Sequence, residues 1–194
     1  MEEIGATLKW MSWLLQYPDN RFLKQLPELE VALAHLPPSR LPSRLKNFLT
    51  QLQSMPLLDI QENYTAAFDL NPSTTLNMTY HPWGDSEKRA AALTRLQQLY
   101  MDAGYEIDTG ELPDYLPLML EFMAICPETR FQDTFRQCLA ALPALAERLN
   151  ATVPLYAELL QLIAGITENR PLESPPAAAG DDTIPRRNRI RPKP

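Results

Sequence analysis

Apolar residues recur along most of this chain at three- and four-residue intervals, the period of one face of an α-helix. Ile4, Leu8, Met11 and Leu15 form a first stripe, closed by the turn YPDN at 17–20. Phe22, Leu26, Leu29 and Leu33 form a second, ended by PPSRLP at 37–42, and Leu45, Phe48, Leu49 and Leu52 a third, broken at Met55-Pro56. A fourth holds Leu57, Ile60, Tyr64 and Phe68. Residues 70–84, LNPSTTLNMTYHPWG, carry Pro72, Pro82 and Gly84 and predict a long ordered loop, a length that in compact domains often carries function. Asp85 then reads as an N-cap with Glu87 in the positive first turn, and that helix runs through Leu93, Leu96 and Tyr100 to Gly104 as its C′ residue.

The stretch ELPDYLPLMLEFMA at 111–124 opens an apolar run with two prolines four apart, Pro113 and Pro117. The first N–H groups of a helix lack intrahelical acceptors, so proline there removes no ladder bond. With Asp114 as N-cap, Pro117 falls at the third helical position and is tolerated. Leu118, Met119, Leu120, Phe122, Met123 and Ile125 then make the helix apolar nearly all round, which predicts a buried central helix. A further helix carries Phe131, Phe135, Cys138, Leu139 and Leu142, split or kinked at Pro143, and a last one carries Val153, Tyr156, Leu160, Ile163 and Ile166.

The fold class expected is all-α: a single-domain bundle of about seven to nine helices over residues 1–168, with one long ordered loop. No sustained period-2 alternation predicts a sheet. Residues 169–194 are Pro-rich, basic and poor in large apolar groups, and are expected to form a disordered tail.

Charge changes this picture in one respect. The net charge is −6, but Arg186, Arg187, Arg189, Arg191 and Lys193 all lie in the last eleven residues, so residues 1–183 carry −11. An acidic body repels nucleic acid and attracts basic peptides, although taken by itself ordinary solubility charge explains it better. The N-terminus, MEEIGATLKW, is acidic where a secretory signal is basic, and no apolar run approaches the ~20 residues that span a bilayer. A cytoplasmic protein without direct membrane insertion is expected. Cys126 and Cys138 sit in apolar helical runs and predict buried free thiols, a redox pair being the alternative.

Catalytic chemistry is not legible. His35 and His81 are too few for a typical zinc or di-metal site, and no GxGxxG, P-loop or GxSxG occurs. Asp114 and Glu121 lie seven apart on one helix face, so paired-carboxylate chemistry is conceivable, but a capping acid and an internally paired Glu explain them better. The chain is expected not to be an enzyme.

Two segments, LNMTYHPWGDSEKRAAAL at 76–93 and ELPDYLPLMLEFMA at 111–124, resemble the nitrate reductase assembly chaperones, the NarJ type within the redox-enzyme maturation and twin-arginine leader chaperones. The opening WLLQYPD at 13–19 resembles them too. The resemblance implies a chaperone that binds the N-terminal segment of the apo catalytic subunit of membrane-bound respiratory nitrate reductase. It would keep that subunit competent for molybdenum cofactor insertion and delay membrane attachment until loading is complete. It implies no cofactor held by the chaperone itself, and molybdenum cofactor biosynthesis proteins as further partners. A same-fold chaperone for another molybdoenzyme, a sulfoxide or N-oxide reductase with a twin-arginine leader, is the alternative. Rival classes are a metal-dependent helical-bundle hydrolase and a helical scaffold without a maturation role.

In leader chaperones, peptide binding is placed near a Tyr-x-x-x-Phe helix, a Pro-Trp-Gly loop and a Leu-Pro-Asp helix entry. The matching residues are Tyr64 and Phe68, then Pro82, Trp83 and Gly84, then Pro113, Asp114 and Tyr115. Tyr115 stands where leader chaperones often have His, so a pH-sensitive role does not carry over. Physically, an amphipathic basic helix binds by laying an apolar face into a groove. Trp83 on a Pro-bounded loop offers large, partly preordered contact area. Asp114 suits a client Arg or Lys, or a plain cap; Phe68 suits a groove wall or the core. Glu121, charged on an apolar helix, needs either an internal partner or a client cation. RRNRI at 186–190 reads either as a solvated tail or as a competitor for the same groove.

Overall fold

A computed structural model describes residues 2–34, 40–108, 110–126, 132–168 and 190–192. His35, Phe131, the Ile4 side chain and residues 169–189, including the paired arginines, lie outside the described set. The elements in chain order are α1 (Glu2–Leu14), α2 (Asn20–Ala34), α3 (Arg40–Gln53), α4 (Leu57–Phe68), a 3-10 turn (Pro72–Thr74), α5 (Tyr80–Trp83), α6 (Glu87–Asp102), β1 (Tyr105–Ile107), α7 (Leu116–Ile125), α8 (Gln132–Leu139), α9 (Leu142–Asn150), α10 (Pro154–Glu168) and β2 (Ile190–Pro192). The all-α class is as expected. Among the described residues, no helix is long and apolar enough to cross a membrane.

The described elements fall into two compact units. The first contains α1, α5 to α8, β1 and β2. Its centre is α7, in which every side chain from Leu116 to Phe122 is buried, as a helix apolar all round requires. It packs against α1, where Leu8, Met11 and Leu14 are at most 1% exposed. The buried Ser12 hydroxyl donates to the Pro117 carbonyl at 2.6 Å, so the polar group in that interface is satisfied. Phe122 gathers Tyr100 at 4.4 Å, Phe135 at 5.8 Å and Tyr105 at 6.1 Å between ring centroids. α6 ends as expected, with Gly104 at φ 82 following the C-cap Ala103, a conformation that glycine adopts without a Cβ penalty.

The second unit contains α2, α3, α4, the 3-10 turn, α9 and α10. The four apolar positions expected on α2 and the four on α3 are buried, as are Ile60, Tyr64 and Phe68 on α4. The Asp19 carboxylate accepts from the backbone N–H groups of Arg21 and Phe22, both at 2.9 Å, which starts α2 at the expected turn. The α9–α10 pair closes the unit, with Pro143 just inside α9 where an N–H is dispensable.

Four local expectations change. α3 begins at Arg40, so part of PPSRLP is helix rather than terminator. Ser86, not Asp85, precedes α6, and its hydroxyl donates backwards to the Trp83 carbonyl at 2.8 Å. Tyr115, not Asp114, precedes α7, which moves Pro117 to the second helical position. A short sheet exists: β1 and β2 pair antiparallel, with Tyr105 opposite Pro192, Glu106 opposite Arg191 and Ile107 opposite Ile190. Residues 190–192 of the expected tail are therefore ordered as a strand.

Candidate functional site

The two segments singled out by their prolines and aromatics are laced together in the first unit. The Met78 N–H donates to the Asp114 carbonyl at 3.0 Å, and the Leu116 N–H to the Leu76 carbonyl at 2.9 Å, around an Asn77–Tyr115 bridge. Side chains reinforce the backbone. Asp114 Oδ2 accepts from the Thr79 N–H at 3.0 Å and from the Thr79 hydroxyl at 2.5 Å. Both residues are 0% exposed. A carboxylate so far from water needs donors close by, and Thr79 supplies two. Asp114 Oδ1 has no partner among the described residues.

Thr79 is a relay as well as a donor. Its hydroxyl proton points to Asp114, so its oxygen is free to accept from Arg89 Nε at 3.3 Å. The Arg89 guanidinium also donates to Asp85 at 2.8 Å and lies 5.5 Å from the Tyr80 ring centroid. One cation therefore fixes both ends of the YHPWGD turn: Tyr80 at its start and Asp85 at its finish. Between them, α5 is a single turn that closes with the Gly84 N–H donating to the Tyr80 carbonyl at 2.7 Å. Gly84 sits at φ 53, where a side chain is strained. Pro82 is exposed, and Tyr80, His81 and Trp83 are half-buried on the same turn.

The entry to α7 is held from below. The Tyr100 hydroxyl donates to the Pro113 carbonyl at 2.9 Å. Burial pushes the Tyr100 phenol well above its ordinary range, with the Asp114 carboxylate adding to the shift. Burial, then the Asp114 charge, raises the Cys138 thiol to about 12, so it is a neutral packing group and not a nucleophile.

Of the expected site residues, the structure brings Pro82, Trp83, Gly84, Asp114 and Tyr115 together in this laced hairpin. Asp114 does not stand at an open rim: its carboxylate is fully buried and engaged by Thr79. Asp85, on the neighbouring segment, does face solvent, 80% exposed at its side chain. Glu121 is buried on α7 and has an interaction of its own, so it is not a free charge. Tyr64 and Phe68 belong to the second unit. There they pack edge-on to each other at 5.1 Å and to Tyr156 at 5.8 and 5.0 Å, with exposures of 4% and 5%. That is core packing. Sequence reasoning missed Thr79 and Arg89. The Asp85–Arg89 spacing of four on a helix start was a legible signal, whereas nothing local marks Thr79 as the partner of a residue thirty-five positions away.

Residues 38–160 match the family model described as the nitrate reductase delta subunit. This chain belongs to the nitrate reductase delta subunit family. It is similar to the probable nitrate reductase molybdenum cofactor assembly chaperone NarJ of Bacillus subtilis, 31% identical over 163 residues that cover 84% of this chain and 89% of that one. It is also similar to the nitrate reductase molybdenum cofactor assembly chaperone NarJ of Escherichia coli K12, 31% identical over 180 residues, 89% of this chain and 76% of the relative. A third relative, the probable assembly chaperone NarW of the same organism, is 33% identical over 159 residues, 80% of this chain and 67% of its own. In this delta subunit family member, the laced hairpin at 76–89 and 112–116 lies wholly inside the matched span.

Proposed function

We propose that this protein is a system-specific chaperone for the catalytic subunit of a membrane-bound respiratory nitrate reductase. It binds the N-terminal segment of the apo subunit in the cytoplasm, keeps it competent to receive its molybdenum cofactor, and delays membrane attachment until loading is complete. The observation that carries this reading is membership of the delta subunit family, with a relative of near-equal length named as a probable cofactor assembly chaperone. The cofactor is cargo of the client, and the chaperone acts by binding and timing rather than by a chemical step.

The client contact is assigned to the accessible face of the laced hairpin: Pro82, Trp83, Gly84 and Tyr115, with Asp85 available to a basic residue of the client. Asp114 serves as a positioning residue that holds this face through Thr79. Glu121, buried on α7, acts through the packing of the first unit, whereas Tyr64 and Phe68 stabilise the core of the second. An amphipathic client segment gains most from an aromatic anchor on a stiff turn, and Trp83 is that anchor. Molybdenum cofactor biosynthesis proteins complete the proposed set of partners.

The test is a pull-down from anaerobically grown cells, with the co-eluting subunit identified and its molybdenum measured. Nitrate reductase catalytic subunit low in molybdenum is expected. Recovery of a different molybdoenzyme subunit, or full cofactor loading in cells that lack this protein, overturns the proposal.

A further inference from the structure

β1 is three residues long, and its partner strand comes from the far C-terminus of the sequence. Side chains of a strand alternate between faces, and the sequence Ile190-Arg191-Pro192 fits that alternation. Ile190, opposite Ile107, is 2% exposed, and its strand packs against α7. Arg191 points the other way, 59% exposed, opposite Glu106 and 3.4 Å from Asp108. The edge of β1 therefore offers an apolar position between two acids, which suits an extended segment alternating basic and β-branched residues. The basic C-terminus of an otherwise acidic chain carries that pattern.

We propose that the edge of β1 is a strand-addition site, and that the chain's own Ile190–Pro192 segment is its reversible occupant. Among the described residues, three residues of pairing, one buried apolar side chain and one half-exposed ion pair make an attachment weaker than the helical core, so it opens without global unfolding. Backbone pairing supplies generic affinity, while the Ile107 position and the flanking Glu106 and Asp108 supply selectivity. This inference is independent of the client reading, because β1 contributes none of the residues assigned to the client.

Amide hydrogen exchange in the full-length chain tests it. Ile190→Asp places a charge where a buried apolar group sat, and Arg191→Glu sets like charges against Glu106 and Asp108 at an exposed position that folding tolerates. Exchange at Tyr105–Ile107 is expected to accelerate at least about tenfold in Ile190→Asp and severalfold in Arg191→Glu, with α1 amides unchanged. Adding the peptide IPRRNRIRPKP, residues 184–194, to the Ile190→Asp chain restores protection, less so at high salt, and the peptide binds the wild-type chain at least about tenfold more weakly. Unchanged exchange in both variants, no rescue by the peptide, or equal binding to wild type overturns the proposal. Wild-type protection that grows with protein concentration assigns the occupant to a second copy and overturns the intramolecular form.

Discussion

Tyr100 and Tyr156 are both fully buried tyrosines at the heart of aromatic clusters, one in each unit, yet only one hydroxyl has work to do. The Tyr100 hydroxyl anchors the Pro113 carbonyl, beside the Asp114–Thr79 pair. The Tyr156 hydroxyl has no partner among the described residues, and burial pushes its pKa far up. Around it stand Phe48, Tyr64 and Phe68 with ring centroids 5.0–6.1 Å away. The first unit thus holds a backbone hairpin in place with buried polar groups, and the second fills its centre with aromatic bulk. Polar bonds are directional and can aim a surface turn; aromatic packing stabilises but specifies no outward geometry. A Tyr-x-x-x-Phe spacing and a Leu-Pro-Asp spacing look alike as candidate binding motifs, but they are different kinds of structure.

The widest separation between the two regions is expected from Phe68→Ala. Emptying a 5%-exposed aromatic site costs about 3–5 kcal/mol of stability, read by urea denaturation, with client-peptide affinity per folded molecule unchanged. A fall in affinity at retained stability would return Phe68 to the binding surface. Asp114→Ala comes next. It strands the Thr79 N–H and hydroxyl in a dry site, and about 2–3 kcal/mol is expected to be lost together with client affinity, because the YHPWGD turn loosens. Trp83→Ala reverses the balance: calorimetry with a client N-terminal peptide should show at least about a tenfold weaker Kd, and stability should change by less than about 1 kcal/mol. Equal affinity would remove the proposed anchor.

Smaller effects sharpen the contrast. Tyr100→Phe should cost about 1 kcal/mol by breaking the bond to Pro113, whereas Tyr156→Phe should be neutral or slightly stabilising, since it removes a hydroxyl that bonds nothing described. Equal costs at both sites would erase the distinction. The mildest test changes no residue. At pH 8, a thiol reagent should modify half-buried Cys126 at least about ten times faster than buried Cys138. The native state favours the neutral Cys138 thiol, so its folded pKa, about 12, lies above the ordinary 9.0. That contribution is whole below pH 9 and is lost as pH rises towards 12, so Cys138→Ser should flatten the alkaline loss of stability.

How much was legible in sequence differs by element. The α2 and α3 stripes were read residue by residue, because helix periodicity is a local property that burial merely reveals. Pro143 and Gly104 announced helix boundaries for the same reason. Capping was less secure: Asp85 and Asp114 both had the right chemistry, but each carboxylate is engaged elsewhere, by Arg89 for one and by Thr79 for the other. The binding set mixed two classes, since Phe68 and Trp83 are equally aromatic and only burial separates them.

By itself the sequence determined the helical elements, their apolar faces, the stiff entry to α7 and the family likeness, all of which depend on short-range spacing. Tertiary structure alone decided that Asp114 is an internal acceptor, that Arg89 clamps the turn carrying Trp83, and that Ile190 completes a strand with Ile107. These contacts join residues far apart in the chain, and their energy depends on burial, which no local pattern encodes.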